Sequence, residues 1–233
     1  MVACTTISAV KANRLFWLGR YVERAYLNLH LLRRYYDRMI DGDPSIYEEY
    51  YRKLDAPYAS LDANWPFLGL VYDAKNPCSL LAGLEAANDN GIVLREEIMS
   101  ESLSYIQLSL VLVKNCAAEK QRNITLLQPV TDYLLAFWGS LEERIQDVRV
   151  LNLIHIGRLV ENIDMHIRFD YPRKRIQEAF EKLKSCSMLE DGVFDRVMLG
   201  HLEELLEADE APEMDPETYR RTLLQFINRL VML

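Results

Sequence analysis

Residues 16–25 of the chain have the sequence FWLGRYVERA, and residues 154–163 have the sequence IHIGRLVENI. Both copies contain the pattern Gly-Arg-x-x-Glu inside apolar residues spaced three or four apart, which predicts two amphipathic helices. A glycine inside a helix costs about 1 kcal/mol relative to alanine. Its presence at the same place in both copies indicates a shared reason, and the usual one is close approach of another backbone. We therefore expect Gly19 and Gly157 to lie where the two helices meet.

The charged residues of the repeat stand among apolar neighbours. Aromatic residues surround Arg20, and mostly apolar residues surround Arg158. A charge in such a setting needs a partner, because an unpaired buried ion costs several kcal/mol. The repeat thus predicts two similar helices, each bringing an Arg and a Glu towards a semi-buried polar centre.

Composition and periodicity predict an all-α fold. The 233 residues include only 9 glycines and 8 prolines, which favours long helices over a turn-rich β fold. We expect a single domain over residues 1–233, a bundle of about seven or eight helices with the repeat-bearing pair at its centre. Gly91 is expected to bend the third helix without ending it, and residues 209–215 to form a loop. The predicted helices cover residues 9–40, 45–54, 80–118, 123–145, 151–169, 173–186, 192–207 and 216–232.

Charge and cysteine usage limit the functional classes. The formal net charge of −8 argues against a nucleic-acid partner, because phosphate contacts need a basic surface. No stretch of 18 uninterrupted apolar residues occurs, and the closest, residues 106–113, is too short to span a bilayer, so no membrane association is expected. The four cysteines form no close pair, as is usual in a reducing compartment. Residues 1–11 do not resemble a secretory signal, and the expected location is the cytoplasm.

Several kinds of catalytic chemistry lack a signal in the sequence. A di-metal carboxylate bundle would need Glu-x-x-His pairs on its helices, and no histidine has that spacing. Phosphate-binding glycine loops are absent, as is the Gly-x-Ser-x-Gly element of many hydrolases. We therefore expect neither a metal nor a cofactor, and no catalytic residue can be named from the sequence.

A set of charged residues on the predicted helices remains as the candidate polar core or anion-binding site. One interpretation is a structural ion-pair network that ties helices together. The other is a pocket whose arginines hold a carboxylate or phosphate. The set consists of Arg20, Glu23, Arg24, Arg95, Glu101, Arg158, Glu161, Asp164 and Arg168.

Four sequence blocks, in order, resemble the bacterial alpha-E family, a domain of unknown function. The first is residues 13–25, NRLFWLGRYVERA, and the second is residues 76–87, NPCSLLAGLEAA. The third and fourth are residues 95–101, REEIMSE, and residues 156–165, IGRLVENIDM. Together the blocks span most of the chain. Tyr171-Pro172-Arg173 is similar to a late Pro-Arg element of the family.

The chain also departs from the family pattern. The family has arginines where this chain has Asn88, Ile92 and Asn162, and a tryptophan where it has Leu103. Arg168 and Pro172 are nearly adjacent here, whereas family members have further helices in this region. The resemblance therefore implies a shortened member that lacks these family arginines.

The resemblance implies a context for function. Alpha-E proteins are typically encoded or fused beside circularly permuted ATP-grasp proteins and transglutaminase-like proteins, in systems proposed to make or modify peptides. The leading hypothesis is an accessory subunit with an ATP-grasp ligase-type partner and no stand-alone activity; self-association is a further option. The alternatives are an enzyme that acts on a peptide or amide through the Arg/Glu cluster, and a purely structural scaffold.

Overall fold

The computed structural model describes residues 7–57, 65–187, 192–207 and 214–233. Over these ranges the chain is almost entirely helical, and an isolated antiparallel bridge joins Phe194 to Val231. The predicted all-α fold is confirmed. The helices are α1 (Ala9–Ile40), α2 (Ile46–Leu54), α3 (Leu68–Val71), α4 (Leu80–Val93), α5 (Arg95–Ala118), α6 (Gln128–Arg144), α7 (Val148–Arg168), α8 (Arg173–Ser187), α9 (Arg196–Glu207) and α10 (Pro216–Arg229).

Short polar side chains fix where several of these helices begin. The Ser8 hydroxyl accepts the backbone N–H of Lys11 at the start of α1, at 3.3 Å. Ser79 caps α4 in the same way, through the N–H of Ala82. Asp147 starts α7 and Asp215 starts α10, each accepting two backbone N–H groups. Such caps satisfy donors that have no partner within the helix, so they define where these helices begin. Because Asp147 caps α7, this helix starts at Val148, three residues before its predicted start.

The prediction of one continuous helix over residues 80–118 is wrong. The chain leaves α4 after Val93 and starts α5 at Arg95, and Met99 interrupts α5 with φ 67° and ψ 151°. Gly91 lies inside α4, where an added Cβ would come within 2.8 Å of the Leu103 side chain. Gly91 therefore makes room for packing between α4 and α5 rather than bending a helix. This split and the short α3 raise the number of α-helices in the described ranges to ten.

The ends of α9 and α10 also differ from prediction, because an isolated bridge pairs the residues next to them. The N–H of Asp195 donates to the carbonyl of Leu230 at 2.8 Å, and the N–H of Met232 donates to that of Val193 at 2.9 Å. These bonds pair backbone groups of the two segments with each other, so α9 starts at Arg196 and α10 ends at Arg229. Of the predicted loop at 209–215, residues 209–213 lie outside the described residues.

The chain divides into two compact units, with the boundary inside α1. One unit consists of Met1–Arg20 and Asp147–Leu233, and the other of Tyr21–Gln146. In the first unit α10 packs against α7 and α9, while α8 packs against α7. In the second unit α5 packs against both α4 and α6. That residues 1–233 form a single domain stays a prediction. None of the described helices is long and apolar enough to cross a membrane.

Candidate functional site

Within the first unit, α1 and α7 meet backbone to backbone at the glycines of the repeat. An added Cβ on Gly19 would overlap the carbonyl oxygen of Ile154. An added Cβ on Gly157 would overlap the carbonyl oxygen of Phe16 and lie 3.1 Å from the backbone nitrogen of Arg20. In both cases the carbonyl belongs to the residue three positions before the opposite glycine. The predicted contact between the two glycines' helices is confirmed, and it uses the same positions of both copies.

Next to this contact, Arg20 and Glu161 form a buried ion pair. The Nε of Arg20 donates to Oε2 of Glu161 at 2.8 Å, and the two residues are only 5% and 0% exposed. The guanidinium carbon also lies 5.1 Å from the ring centroid of Trp17 and 5.9 Å from that of Phe16. Aromatic faces attract a cation at this range, so the two rings and the carboxylate of Glu161 together stabilise the charge of Arg20.

Asn228 of α10 links this ion pair to a second one. The Nη2 of Arg20 donates to Oδ1 of Asn228 at 3.2 Å, and Nδ2 of Asn228 donates to Oδ1 of Asp164 at 2.8 Å. The other oxygen of Asp164 accepts a 2.7 Å hydrogen bond from Nε of Arg168. The result is an unbroken chain of hydrogen bonds, Glu161–Arg20–Asn228–Asp164–Arg168, which we call the polar network. It joins α1, α7 and α10.

The polar network sets the chemistry open to these residues. Both carboxylates are shielded from solvent, with Asp164 3% exposed, and both already accept hydrogen bonds from guanidinium groups. Asn228 is the exposed member of the polar network, so solvent contacts the network mainly at this side-chain amide. Such a set holds helices in a fixed register. Among the residues that the structure describes, no three His, Cys, Asp or Glu side chains are placed to hold a metal ion.

The remaining predicted site residues fall into two groups. Arg158 is half-buried on α7, in the first unit. Glu23, Arg24, Arg95 and Glu101 belong to the second unit, where Glu23 is buried and Arg24 half-buried on α1. Arg95 and Glu101 are exposed on α5. The structure thus brings four of the nine predicted residues together directly, and the role of the other five stays a prediction.

Sequence reasoning missed Asn228, which connects the two ion pairs. It lies on the exposed side of an amphipathic helix, 64 residues from Asp164 in the chain. By the apolar and polar pattern of the helix alone, an asparagine in that position is expected to be an ordinary surface residue. Besides the carbonyl of Leu224 on its own helix, its partners are side chains of α1 and α7, so only the packing of three helices reveals them. No local signal in the sequence distinguishes it.

A second charged cluster that sequence reasoning missed lies at the surface of the first unit. The Nζ of Lys184 on α8 lies 2.7 Å from Glu203 and 2.6 Å from Glu207, both on α9. These hydrogen bonds, with that to Glu203 contributing most, raise the pKa of Lys184 above its usual range. Because the carboxylates are largely exposed, the cluster adds only modest stability between α8 and α9.

The fold and the polar network together describe a helical domain built around a repeated Gly-Arg-x-x-Glu motif. The model of the alpha-E family, described as a predicted alpha-helical domain with a conserved ER motif, matches residues 9–225. The chain therefore belongs to the alpha-E family. Glu-Arg occurs at residues 23–24 and at residues 143–144, and the first of these stands within the repeat. No curated protein and no solved structure matches the chain.

Proposed function

We propose that this protein is a helical accessory subunit of a peptide-forming or peptide-modifying system, acting beside a ligase-type partner of the ATP-grasp class. In this proposal the chain provides a docking surface or part of a binding pocket and has no turnover of its own. The alpha-E resemblance supports the choice of partner, because proteins of this family are typically encoded or fused beside ATP-grasp and transglutaminase-like proteins. The proposed setting is the cytoplasm.

The single observation that supports the accessory role is that the carboxylates of the polar network are already bonded to other members of the network. A general base must come within hydrogen-bond reach of the proton that it removes. Glu161 is fully buried and bonded to Arg20, and Asp164 is held by both Asn228 and Arg168. Side chains held in this way are suited to fixing helices in place. This supports a structural use of the predicted charged set over a catalytic one.

The charge of the chain supports a partner of complementary sign. With a formal net charge of −8, the protein would associate fastest with a partner whose docking surface is basic. Added salt screens such attraction at distances beyond about 10 Å at 0.1 M. The association rate of the complex is therefore expected to fall as the salt concentration rises.

The proposal is tested by purifying the chain together with an ATP-grasp protein encoded beside it. Light scattering after size-exclusion chromatography measures whether a complex forms, and ADP release measures ligation with and without the chain. The expected result is a stable complex, faster ligation in the presence of the chain, and no ATP turnover by the chain alone. Turnover by the isolated chain, or a partner that neither binds it nor responds to it, would contradict the accessory role.

A further inference from the structure

The second unit contains a cavity of about 570 Å³ at the C-terminal end of α5. This volume lies within the range of about 300–1,000 Å³ that is typical of small-molecule sites. None of its lining residues belongs to the polar network. The cavity is lined by Leu68, Gly69, Tyr72, Asp73, Ala117, Lys120 and Arg122.

The backbone at the rim of the cavity is shaped by the end of α5. Lys120 has φ 53°, in the left-handed region, and its N–H donates to the carbonyl of Ala117 at 3.0 Å. The N–H of Gln121 donates to the carbonyl of Cys116 at 2.9 Å. Glycine is the usual residue at such a helix end, because a Cβ is unfavourable there. This conformation ends α5 and places Lys120 at the rim of the cavity.

The polar groups of the cavity carry both signs of charge. Lys120 and Arg122 are exposed cations, and within the described part of the chain neither side chain takes part in an ion pair. Asp73 faces the same space and is half-buried. Its Oδ1 accepts the backbone N–H of Lys75 at 2.9 Å, which holds the carboxylate in place. The cavity thus offers two cationic groups and one fixed anionic group.

The rest of the lining is apolar or neutral. Leu68 and Ala117 supply aliphatic surface. Tyr72 is half-buried, and burial raises the pKa of its hydroxyl above the usual range, with a smaller effect from Cys116. The tyrosine therefore stays a neutral hydrogen-bond donor at physiological pH. Apolar walls with a few fixed polar groups are characteristic of sites that orient a small ligand.

We propose that this cavity binds a small zwitterion with one carboxylate and one ammonium group, that is, a free amino acid or a dipeptide. The carboxylate would be held by Lys120 and Arg122, since both donate charge-assisted hydrogen bonds to such groups. The ammonium group would be held by Asp73, and an aliphatic side chain would contact Leu68 and Ala117. This assignment rests on the cavity alone and holds whether or not the chain works with an ATP-grasp partner.

Calorimetry on the full chain tests the proposal with five probes: leucine, leucyl-leucine, N-acetyl-leucine, leucinamide and inorganic phosphate. Leucine or leucyl-leucine is expected to bind, and the tighter of the two identifies the source of the zwitterion. N-acetyl-leucine lacks the ammonium group and leucinamide lacks the carboxylate. Each is expected to bind at least about tenfold more weakly than leucine, because each loses one charge-assisted contact.

Three substitutions separate the charges of the site. Lys120→Gly removes the ammonium group while relieving the left-handed backbone, so the variant is expected to fold. Arg122→Gln removes the other cation, and Arg144→Gln, at an exposed arginine of the same unit outside the cavity, is its matched control. Asp73→Asn keeps an oxygen that accepts the N–H of Lys75 but removes the charge. Lys120→Gly and Arg122→Gln are each expected to weaken leucine binding about tenfold or more, and Arg144→Gln is expected to leave it unchanged.

Asp73→Asn gives the sharpest discrimination. It is expected to weaken the binding of leucine but not that of N-acetyl-leucine, which has no ammonium group to lose. The absence of heat with leucine and leucyl-leucine at millimolar concentration would overturn the proposal. So would binding that is insensitive to Lys120→Gly and Arg122→Gln, or phosphate binding as tight as that of leucine, which would indicate a simple anion site.

Discussion

Arg20 and Glu161 form a buried ion pair, 2.8 Å from Nε to Oε2, that takes one residue from each copy of the repeat. The glycine that precedes Arg20 is one of the two at which the backbones of α1 and α7 meet. The close backbone contact brings side chains of the two helices into hydrogen-bonding range, and the ion pair in turn fixes their register. The glycine and the charged residues of the motif therefore act together to fix how α1 and α7 pack.

Replacing Glu161 with alanine is expected to destabilise the fold by about 3–5 kcal/mol, because it leaves the guanidinium of Arg20 buried without its carboxylate. Urea unfolding measures the free-energy difference. Glu204→Ala, at an exposed glutamate of α9 in the same unit, is the control and is expected to change stability by less than about 0.5 kcal/mol. A Glu161→Ala variant as stable as the wild type would mean that the pair is not structural, and would favour the pocket interpretation.

Alanine at Gly19 or Gly157 is expected to destabilise the protein by about 1–3 kcal/mol or more, since the new Cβ would overlap a carbonyl oxygen of the opposite helix. Helix propensity alone predicts the opposite sign, a gain of about 1 kcal/mol. Gly200→Ala is the control, because Gly200 lies inside α9 in the same unit and an added Cβ there would meet nothing within 4 Å. Thermal melts of the three variants separate packing from propensity. Stabilisation at Gly19 would contradict the close contact.

When Gly19 and Gly157 are both replaced with alanine, the losses of stability are expected to be non-additive, because the two glycines lie in one contact between the same two helices. Once one alanine has pushed α1 and α7 apart, the second has less to displace. The double variant should therefore lose less stability than the two single losses combined. Strict additivity would indicate that the two glycines act in separate places.

The sequence predicted the helical fold and the glycine contact but not the corner between α4 and α5. The predicted bounds of α1, residues 9–40, agree with the structure, and the contact followed from a shared glycine. The corner at Leu94 and Met99 has neither glycine nor proline, so nothing local marks it. What ends α4 there is tertiary packing: folding back buries Ile98, Leu103 and Ile106 fully or almost fully. Burial of this kind outweighs local propensity.

The candidate site was predictable only in part, for a related physical reason. Arg20 and Glu161 could be named because a charge among apolar residues must find a partner. Asn228 could not, because an amide on a solvent-facing helix position satisfies every local rule without a partner. The cavity at the end of α5 could not be predicted either, because no pattern of side chains indicates the left-handed backbone of Lys120 at its rim.

Glycine at Met99 is expected to stabilise the protein by about 1–3 kcal/mol. Met99 has φ 67° and ψ 151°, a region that is almost restricted to glycine, and such a residue stores strain of that order. Met99 is 45% exposed, so the burial that truncation removes offsets only part of the relieved strain. Ser100→Gly, at the next position and also exposed, is the matched control and is expected to destabilise by about 0.5–1 kcal/mol. Chemical denaturation of both variants gives the comparison, and equal losses would show that Met99 is not strained.

His166 of α7 is expected to make the stability of the first unit depend on pH. Burial, with a smaller effect from Arg175, lowers the pKa of its imidazole from 6.5 to about 4. The imidazole stacks on the ring of Tyr171, with 4.4 Å between the ring centroids. The guanidinium carbon of Arg175 lies 5.4 Å from the centroid of the Tyr171 ring. Within the described residues, Nδ1 of His166 is buried without a hydrogen-bond partner. The neutral imidazole is therefore the form that the fold accommodates.

The direction of the pH effect follows from this lowered pKa. As the pH falls below about 6.5, the unfolded chain binds a proton at His166 before the folded chain does, so the free energy of unfolding decreases until about pH 4. Partial exposure of the ring makes the slope shallow. His166→Gln removes the titrating group, and the loss of stability between pH 7 and pH 4.5 should be smaller in the variant than in the wild type. Urea unfolding at the two pH values measures both losses, and the carboxylates that titrate in this range are common to both proteins. An NMR titration that places the His166 pKa at or above 6 would show that the folded state accepts the charge, and the two proteins would then lose stability equally.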